Sequence, residues 1–318
     1  MRREGSPWQG LGTVVVKELA DHFDSARMPL LALLMVVAAA VPVYIGARLL
    51  EGTEEPFLLL KLFNPGQTLS VAQILGFLIP IMAIGLGFDA VNGEHNRRTL
   101  SRILAQPIYR DALLAGKFLA GLIALAVNLI CLWLLVIGFG LYRLGVLPTG
   151  DDFTRSLAYL IITIAYAGVW LSMAMLFSVL FRSPATAALL ALGVWLFMAL
   201  LWPLIAPRIA GLISPPDVRY LLLGTNDPQT QALADALSWI SPYMLFEEAT
   251  QFILNPTTPS FGPVIDQIRQ LQGMVIDAAL PLRESFAFIW SQAVGLIAGA
   301  IVLFVATYVV FQRQEVRA

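Results

Sequence analysis

The sequence predicts an all-α polytopic membrane protein with six transmembrane helices, and two observations lead to this fold class. First, 58% of the 318 residues are hydrophobic and only 13% are charged, whereas soluble domains carry about 25% charged residues. Second, six apolar runs each have the roughly 20 residues that a helix needs to cross about 30 Å of hydrocarbon. The predicted spans are Met28–Ala47, Leu69–Phe88, Phe118–Tyr142, Leu157–Phe181, Ala185–Pro207 and Phe286–Phe311.

The segment before the first span predicts an amphipathic helix over residues 8–26. Its apolar side consists of Trp8, Leu11, Val15 and Leu19, and its polar residues include Lys17, Asp21 and Asp24. Such a helix is typical of a segment that lies in the membrane interface, and a soluble cap helix is the alternative. No cleavable signal peptide is evident. We therefore expect an N-terminal segment, 1–27, followed by one six-span domain, 28–318.

The lysines and arginines that flank the spans predict the orientation. Twelve lie on one side, in 1–27, in 92–117, at Arg182 and after residue 312, whereas four lie in the short loops of the other side. Positive charge concentrates on the cytoplasmic side of membrane proteins. Both termini and the 92–117 loop are therefore expected to be cytoplasmic, in a multi-pass protein of the inner (plasma) membrane.

The loop 92–117 is the most charged short segment of the chain, and it predicts a small amphipathic helix. Residues 99–105 give about two turns, with three apolar side chains on one face and two arginines on another. The apolar set is Leu100, Ile103 and Leu104, and the basic set is Arg98 and Arg102. Pro107 ends this helix because the residue before a proline avoids the α region. Asp111 is then placed to cap the next membrane helix.

An apolar face on a helix between two spans has two interpretations. The helix could dock into a separate soluble motor protein, so that the loop receives mechanical work. Alternatively, it could lie in the headgroup layer with its arginines on lipid phosphates. The residues alone leave both open.

The segment between the fifth and sixth spans, 208–285, is too long for a simple connection. Residues 211–228 are rich in proline and glycine and predict irregular structure, whereas 229–240, 243–254 and 264–279 have helical periodicity. This extracytoplasmic loop could be a cap that recognises cargo or a partner. It could equally be a lid that packs over the spans.

Several classes of chemistry are not supported by the sequence. A single cysteine, Cys131, excludes an intrachain disulfide, and the two histidines, His22 and His95, have no neighbours at ligand spacing. Gly116-Lys117 lacks the rest of a phosphate-binding loop, so the chain is not expected to hydrolyse ATP. Glu247 and Glu248 suggest a solvated helix face rather than acid–base chemistry. A net charge of −1 predicts no nucleic-acid partner.

The predicted spans contain no Asp, Glu, Lys, Arg or His. Transporters driven by an ion gradient keep ionisable residues in the membrane as carriers of the coupled charge. A secondary transporter is therefore disfavoured, and energy is expected to enter through the 92–117 loop. Polar residues in the spans, such as Gln73, Asn128 and Gln292, are expected to form hydrogen bonds between helices.

The residues from Asp89 to Phe118 resemble the signature loop of ABC-2 type transporter permeases. The resemblance is carried by Asp89-Ala-Val-Asn-Gly-Glu94, Thr99-Leu100, Gln106-Pro107, Arg110 and Gly116-Lys117-Phe118, with Ala191-Leu-Gly-Val-Trp195 and Ser241-Pro242 later in the chain. Within that superfamily it is most similar to the permeases of nitrous-oxide-reductase maturation and gliding motility. One departure is Arg98, where the family usually has glycine before Thr-Leu.

The resemblance implies a type V exporter-like fold with an N-terminal interfacial helix. It implies that 92–117 carries a coupling helix that binds a cytoplasmic ABC ATPase subunit. The coupling residues would be Glu94, Arg98, Thr99, Leu100, Arg102, Ile103 and Leu104. ATP and Mg²⁺ would be bound by that ATPase and no cofactor by this chain, and a second permease copy would complete a homodimer or heterodimer in the lipid bilayer.

The function implied is the permease subunit of an ATP-driven transporter, moving a substrate outward. The alternative is a non-transporting membrane complex that relays ATPase motion to an extracytoplasmic partner at the 208–285 loop. In neither case is this chain an enzyme by itself.

Overall fold

A computed structural model describes residues 10–53, 57–63, 70–96, 110–145, 147–223, 226–256 and 281–313. The helices in these ranges are α1 (Leu11–Asp24), α2 (Arg27–Leu50), α3 (Leu58–Phe63), α4 (Val71–Gly87), α5 (Asn92–Asn96), α6 (Arg110–Leu144), α7 (Gly150–Leu180), α8 (Pro184–Leu196), α9 (Trp202–Ile213), α10 (Val218–Leu223), α11 (Pro228–Ser238), α12 (Pro242–Leu254) and α13 (Leu282–Arg313).

The prediction of six spans is confirmed. Six helical stretches are long and apolar enough to cross a membrane, namely Arg27–Leu50, Val71–Glu94, Arg110–Leu144, Gly150–Leu180, Pro184–Ile213 and Leu282–Arg313. Several extend beyond the predicted limits, since α6 begins at Arg110 rather than Phe118. Backbone hydrogen bonding continues through polar residues, so the end of an apolar run does not mark the end of a helix.

Helix α7 forms the centre of the bundle and packs against α4, α6, α8, α12 and α13. In its most apolar stretch 67% of the residues are buried, against 17% in α13. The helix begins at a capping box, in which Thr149 Oγ1 accepts the Asp152 backbone N–H and the Asp152 carboxylate accepts the Thr149 N–H. The outer faces of α2, α8, α9 and α13 remain available to lipid or to another chain.

Helix α12, which belongs to the predicted extracytoplasmic loop, is inserted into the bundle against α4, α7 and α13. The Phe246 ring stacks on Tyr166 of α7 with centroids 4.4 Å apart, and Phe252 stacks on Phe288 of α13 at 5.5 Å. The Tyr166 hydroxyl donates to the Gly76 carbonyl at 2.9 Å. Stacked aromatic pairs stabilise packing beyond the area they bury, so α12 is part of the core.

Between α8 and α9 the fifth span contains a π-helical turn, Phe197–Leu201. The Trp202 N–H donates to the Phe197 carbonyl, and Pro203 has no N–H to offer. The Met198 carbonyl instead accepts the Ser241 hydroxyl at 2.8 Å. The proline therefore explains the irregular turn, and the N-cap residue of α12 satisfies the carbonyl.

The loop prediction is partly confirmed. The helices predicted at 229–240 and 243–254 are present as α11 and α12, and α11 packs on α9. The prediction of irregular structure over 211–228 is wrong in two places, because α9 continues to Ile213 and α10 forms at Val218–Leu223. The helix predicted over 264–279 lies outside the described residues.

The end of α13 lies beside the start of α6. The Gln312 side chain at the end of α13 donates to the Asp111 carboxylate in the first turn of α6. Because the helix already begins at Arg110, Asp111 is a first-turn residue rather than the cap that the sequence suggested. Its carboxylate still lies at the positive end of the helix. The start of α6 and the end of α13 therefore lie at the same end of the bundle.

The predicted amphipathic N-terminal helix is present as α1, and it packs closely on α6. Its position in the membrane interface stays a prediction, and Trp8 lies outside the described residues. Val14, the buried residue of α1, faces Gly116: a Cβ built on Gly116 would lie 2.5 Å from Val14 Cγ1 and 2.9 Å from its Cβ. Separations below 3.0 Å require one of the two helices to move. The glycine therefore permits α1 to lie against the span.

We expect Gly116→Val to loosen this contact and to lower the stability of the purified protein by about 1–3 kcal/mol, the usual cost of overpacking. Gly138→Val on the same helix is the matched control, because no atom lies within 4 Å of a Cβ there. Thermal unfolding in detergent measures both. Equal melting temperatures for the two variants would show that α1 does not depend on this close approach.

Candidate functional site

The short helix α5, at the start of the charged loop, is held firmly against the end of α7. Ser178 Oγ accepts the backbone N–H groups of Val91 at 3.0 Å and Asn92 at 3.2 Å. The Asn92 side chain donates to the Phe181 carbonyl at 3.2 Å. These bonds fix the exit of the second span on the central helix.

A buried ion cluster joins both ends of the loop to α1. Lys117 Nζ lies 2.6 Å from Glu94 Oε1 and 3.0 Å from Glu18 Oε2. The side chains are 6%, 15% and 12% exposed, in the order Lys117, Glu94, Glu18. Glu94 lies near the start of the 92–117 loop, Lys117 is its last residue, and Glu18 lies on the N-terminal helix. One ammonium group therefore connects three separate segments of the chain.

A second lysine extends the cluster towards solvent. Lys17 Nζ lies 2.9 Å from Glu18 Oε1 and 2.7 Å from Asp21 Oδ2. Burial by itself would raise the pKa of the Glu18 carboxyl, but the charge of Lys117 and the hydrogen bond from Lys17 outweigh it and lower that pKa. Burial would lower the pKa of Lys17, and its hydrogen bonds to Asp21 and Glu18 raise it instead. Carboxylates and ammonium groups thus alternate from the surface inward.

A further ion pair fixes the corner between α1 and α2. Arg27 Nη1 lies 2.8 Å from Asp89 Oδ2, just after α4, and its guanidinium lies 5.3 Å from the centre of the Phe88 ring. We call this region, defined by Lys17, Glu18, Asp89, Glu94 and Lys117, the charged end of the bundle.

Comparison with known proteins decides the family. Residues 13–316 match the model of the ABC-2 family transporter protein. The chain belongs to this family.

Two curated relatives carry the name "Probable ABC transporter permease protein NosY". The protein from Stutzerimonas stutzeri is 31% identical over 185 residues, which cover 56% of this chain and 62% of that protein. The protein from Pseudomonas aeruginosa is 32% identical over 136 residues, covering 42% of this chain and 45% of that protein. The matches thus span less than two thirds of each relative's length. They agree with the resemblance that the sequence itself carries.

Of the coupling residues that the ABC-2 resemblance implies, the structure places Glu94 in the buried cluster. The others, Arg98, Thr99, Leu100, Arg102, Ile103 and Leu104, lie outside the described residues, as does the helix predicted over 99–105. Of the 92–117 loop, the structure therefore describes only the two ends, 92–96 and 110–117.

Lys117 and Glu18 are site residues whose joint role the sequence analysis missed. Glu18 falls one helical turn after Val14, on the face of α1 that meets the span. Glu18 also lies seven residues after Leu11 and three after Val15, which the sequence places on the apolar side of this helix, and a carboxylate there was a usable signal for an ion partner. Lys117 was read as part of the flanking positive charge, whereas it is buried within α6.

No group of three His, Cys, Asp or Glu side chains in the described ranges could hold a metal ion. His22 lies at the charged end, and burial lowers its pKa. It is therefore uncharged at neutral pH, and its protonation in acid opposes folding.

The end of the ABC-2 bundle opposite the charged end holds two carboxyl groups that the sequence analysis assigned to a solvated helix face. The structure corrects this: Glu247 and Glu248 lie half-buried on α12, which is not one of the six spanning helices. Burial raises the pKa of both carboxyls. Burial also raises the pKa of Tyr243, one turn before Glu247, to about 12.

We expect Lys117→Met to destabilise the protein by about 3–5 kcal/mol, because it removes the buried cation that Glu18 and Glu94 share. Lys17→Met removes an exposed partner of Glu18 and should cost about 0–1 kcal/mol. Thermal unfolding of both variants in the same detergent tests the difference. Similar small losses would show that the buried cluster does not hold α1 on the span.

We expect Glu247→Gln to stabilise the protein at neutral pH. In the folded state this carboxyl has a raised pKa, so its ionisation costs stability as pH rises from the ordinary value of 4.5 through the folded value. The variant should therefore unfold at a higher temperature than wild type above that window and at the same temperature below it. A gain that persists at pH 4 would contradict the assignment.

Proposed function

We propose that this chain is the permease subunit of an ATP-driven transporter, in which a separate cytoplasmic ATPase supplies the energy and the permease moves a substrate outward. Membership of the ABC-2 family supports the role of permease subunit. The observation that carries the coupling role is the Lys117 ion cluster, which closes the base of the charged loop and joins it to α1.

The geometry suggests how a force applied to the loop would spread. At the entry, α5 is bonded to the end of α7 through Ser178 and the Phe181 carbonyl. At the exit, Lys117 is part of α6 and is paired with both Glu94 and Glu18. A displacement of the loop would therefore move α6, α7 and α1 together. Since α7 contacts most of the other spans, the motion would reach the whole bundle.

The distribution of charge supports an external source of energy. In the described spanning helices the buried basic residues lie near the helix ends, with Lys117 at one end of the bundle and Arg155 in the second turn of α7 at the other. The Arg155 guanidinium donates hydrogen bonds to Asp151 and to Ser285, and these bonds join the start of α7 to α13. A chain of titratable groups through the middle, which an ion-coupled transporter requires, is not evident in these helices.

In this proposal ATP and Mg²⁺ are bound by the ATPase. The two termini and the charged end face the cytoplasm, and a second permease copy covers one of the exposed apolar faces. The orientation agrees with the excess of lysine and arginine on that side.

A second candidate function is the relay of ATPase motion to an extracytoplasmic partner without transport. The observation that favours it is the turn between α9 and α10, at the far end of the fifth span. There Leu212 is 82% exposed and Val218 64% exposed, an arrangement that would suit a protein contact. Stimulation of ATP hydrolysis by a transported solute in proteoliposomes supports the first function, whereas stimulation only by an added outer protein supports the second.

We expect Leu100→Asp combined with Leu104→Asp to reduce association with the ATPase at least tenfold, because two carboxylates would have to be buried in its groove. Insertion into the membrane should not change. Co-purification from membranes measures both, and Leu212→Asp with Val218→Asp at the other end of the bundle is the matched control. Undiminished co-purification of the first variant would contradict the docking role of the loop.

A further inference from the structure

A small cavity lies at the end of the bundle opposite the charged end, where the start of α4 meets α12. Its volume is about 20 Å³, which is room for one group of the size of a water molecule. Gly76 permits the close approach of the two helices, because a Cβ there would lie 3.2 Å from Tyr243 Cε2. The polar side chains of the lining are Ser70, Gln73, Tyr243, Glu247, Thr250 and Gln251.

Several of these polar groups already have partners on their own helix. Ser70 Oγ accepts the Gln73 backbone N–H, and Gln73 Oε1 accepts the Ser70 N–H. The Thr250 hydroxyl donates to a carbonyl one turn earlier in α12, and Gln251 Oε1 accepts a side-chain amide one turn later. The capping box thus uses N–H groups at the start of α4 that could otherwise bind a carboxylate.

The Glu247 carboxylate differs from its neighbours in this lining. It is half-buried, and none of the ion pairs between described residues includes it. Burial raises the pKa of Glu247, and no charge on a described residue acts against that effect. A buried carboxylate without a cation is unfavourable, so a cationic ligand would stabilise this position.

The undescribed residues of the loops at this end were included in the count of charges. They are 54–56, 64–69, 146, 224–225 and 257–280. Their one basic residue is Arg269, whereas four are acidic, namely Glu54, Glu55, Asp266 and Asp277. Arg269 is therefore the one undescribed cation at this end whose pairing with Glu247 a test has to exclude.

We propose that Glu247 anchors a binding site for an alkylammonium compound, that is, a primary ammonium group joined to an apolar chain. An ammonium group is close to a water molecule in size and therefore matches the cavity. It carries three N–H donors, which the Glu247 carboxylate and neutral oxygens of the lining would accept. Gln73 Oε1 is such an oxygen, because its bond to the Ser70 N–H uses one of two lone pairs.

A row of aromatic rings continues from the cavity and would receive the apolar chain. Tyr243 lies in the lining, and its ring centroid is 5.4 Å from that of Phe77, one turn after Gln73 on α4. The Phe77 centroid is in turn 6.2 Å from that of Trp195 on α8. Aromatic faces attract cations, and burial of an alkyl chain adds about 0.8 kcal/mol per CH₂ group. A hydrated inorganic ion would not gain from this surface.

The test is isothermal titration calorimetry of the purified full chain in a nonionic detergent at neutral pH, with empty micelles as the blank. Hexylammonium chloride is the probe, and 1-hexanol has the same chain without the charge. We expect hexylammonium to bind more tightly than hexanol by roughly tenfold or more, as for a hydrogen bond between charged groups. Equal affinities would overturn the proposal. Displacement of hexylammonium by sodium ions as readily as by a second alkylammonium would also overturn it.

Glu247→Gln tests the site, and Glu248→Gln is the matched control. Glu248 is the next residue on α12 and is also half-buried, but it is not part of the cavity lining. We expect the first variant to lose roughly tenfold or more in hexylammonium affinity and the second to keep it, with melting temperatures without amine showing that both fold. Unchanged affinity in a folded Glu247 variant would overturn the proposal. Should that variant not fold, the comparison of hexylammonium, hexanol and sodium on the native chain decides.

Arg269→Gln separates an external cation from one that the chain supplies. We expect this variant to bind hexylammonium with unchanged affinity. A large gain in affinity would show that Arg269 occupies the Glu247 carboxylate in the native protein, and would overturn the proposal. The binding needs no ATPase and no residue of the charged end, so its failure would leave the proposed function as it stands.

Discussion

The ammonium group of Lys117 is buried between the carboxylates of Glu18 and Glu94, and the arrangement of the charged end of the bundle depends on it. A buried charge is tolerated only when it is paired and hydrogen-bonded. The three side chains come from the N-terminal helix, the exit of the second span and the start of the third. None of these segments can shift alone without separating Lys117 from a carboxylate. The cluster therefore ties α1 to the two ends of the loop.

The two ends of the molecule are stabilised by different interactions. At the charged end, ion pairs and the bonds from Ser178 fix helix ends, and the Gly116–Val14 approach lets α1 lie close. At the other end, α12 places aromatic rings among the spans. Its N-cap residue Ser241 donates a hydrogen bond to the Met198 carbonyl in the π-helical turn of the fifth span. Ion pairs can rearrange when their partners move, whereas stacked rings maintain a fixed spacing. In the proposed function, the ATPase would apply force at the charged end, and the packed helices would transmit that force through the bundle.

Other observations extend the proposed role without depending on it. A cavity beside the cluster is lined by carboxylates and cations, several of them in direct ion pairs with one another. The half-buried carboxyls of Glu247 and Glu248 occupy the opposite end, where burial raises their pKa. Among the described residues, the carboxylates and cations of these two groups thus lie at the two ends of the bundle, and the segments between them pack mainly through apolar side chains.

The sequence by itself determined the six spans, the amphipathic N-terminal helix, two of the loop helices and the family, because hydrophobic length, helical periodicity and a local motif are properties of neighbouring residues. It also singled out Glu94. The tertiary structure alone decided that Glu18, Glu94 and Lys117 meet, that α12 belongs to the core, and that Glu247 and Glu248 are half-buried. These facts depend on contacts between residues far apart in the chain, and the energy of burying a charge is set by the partner that the fold brings to it.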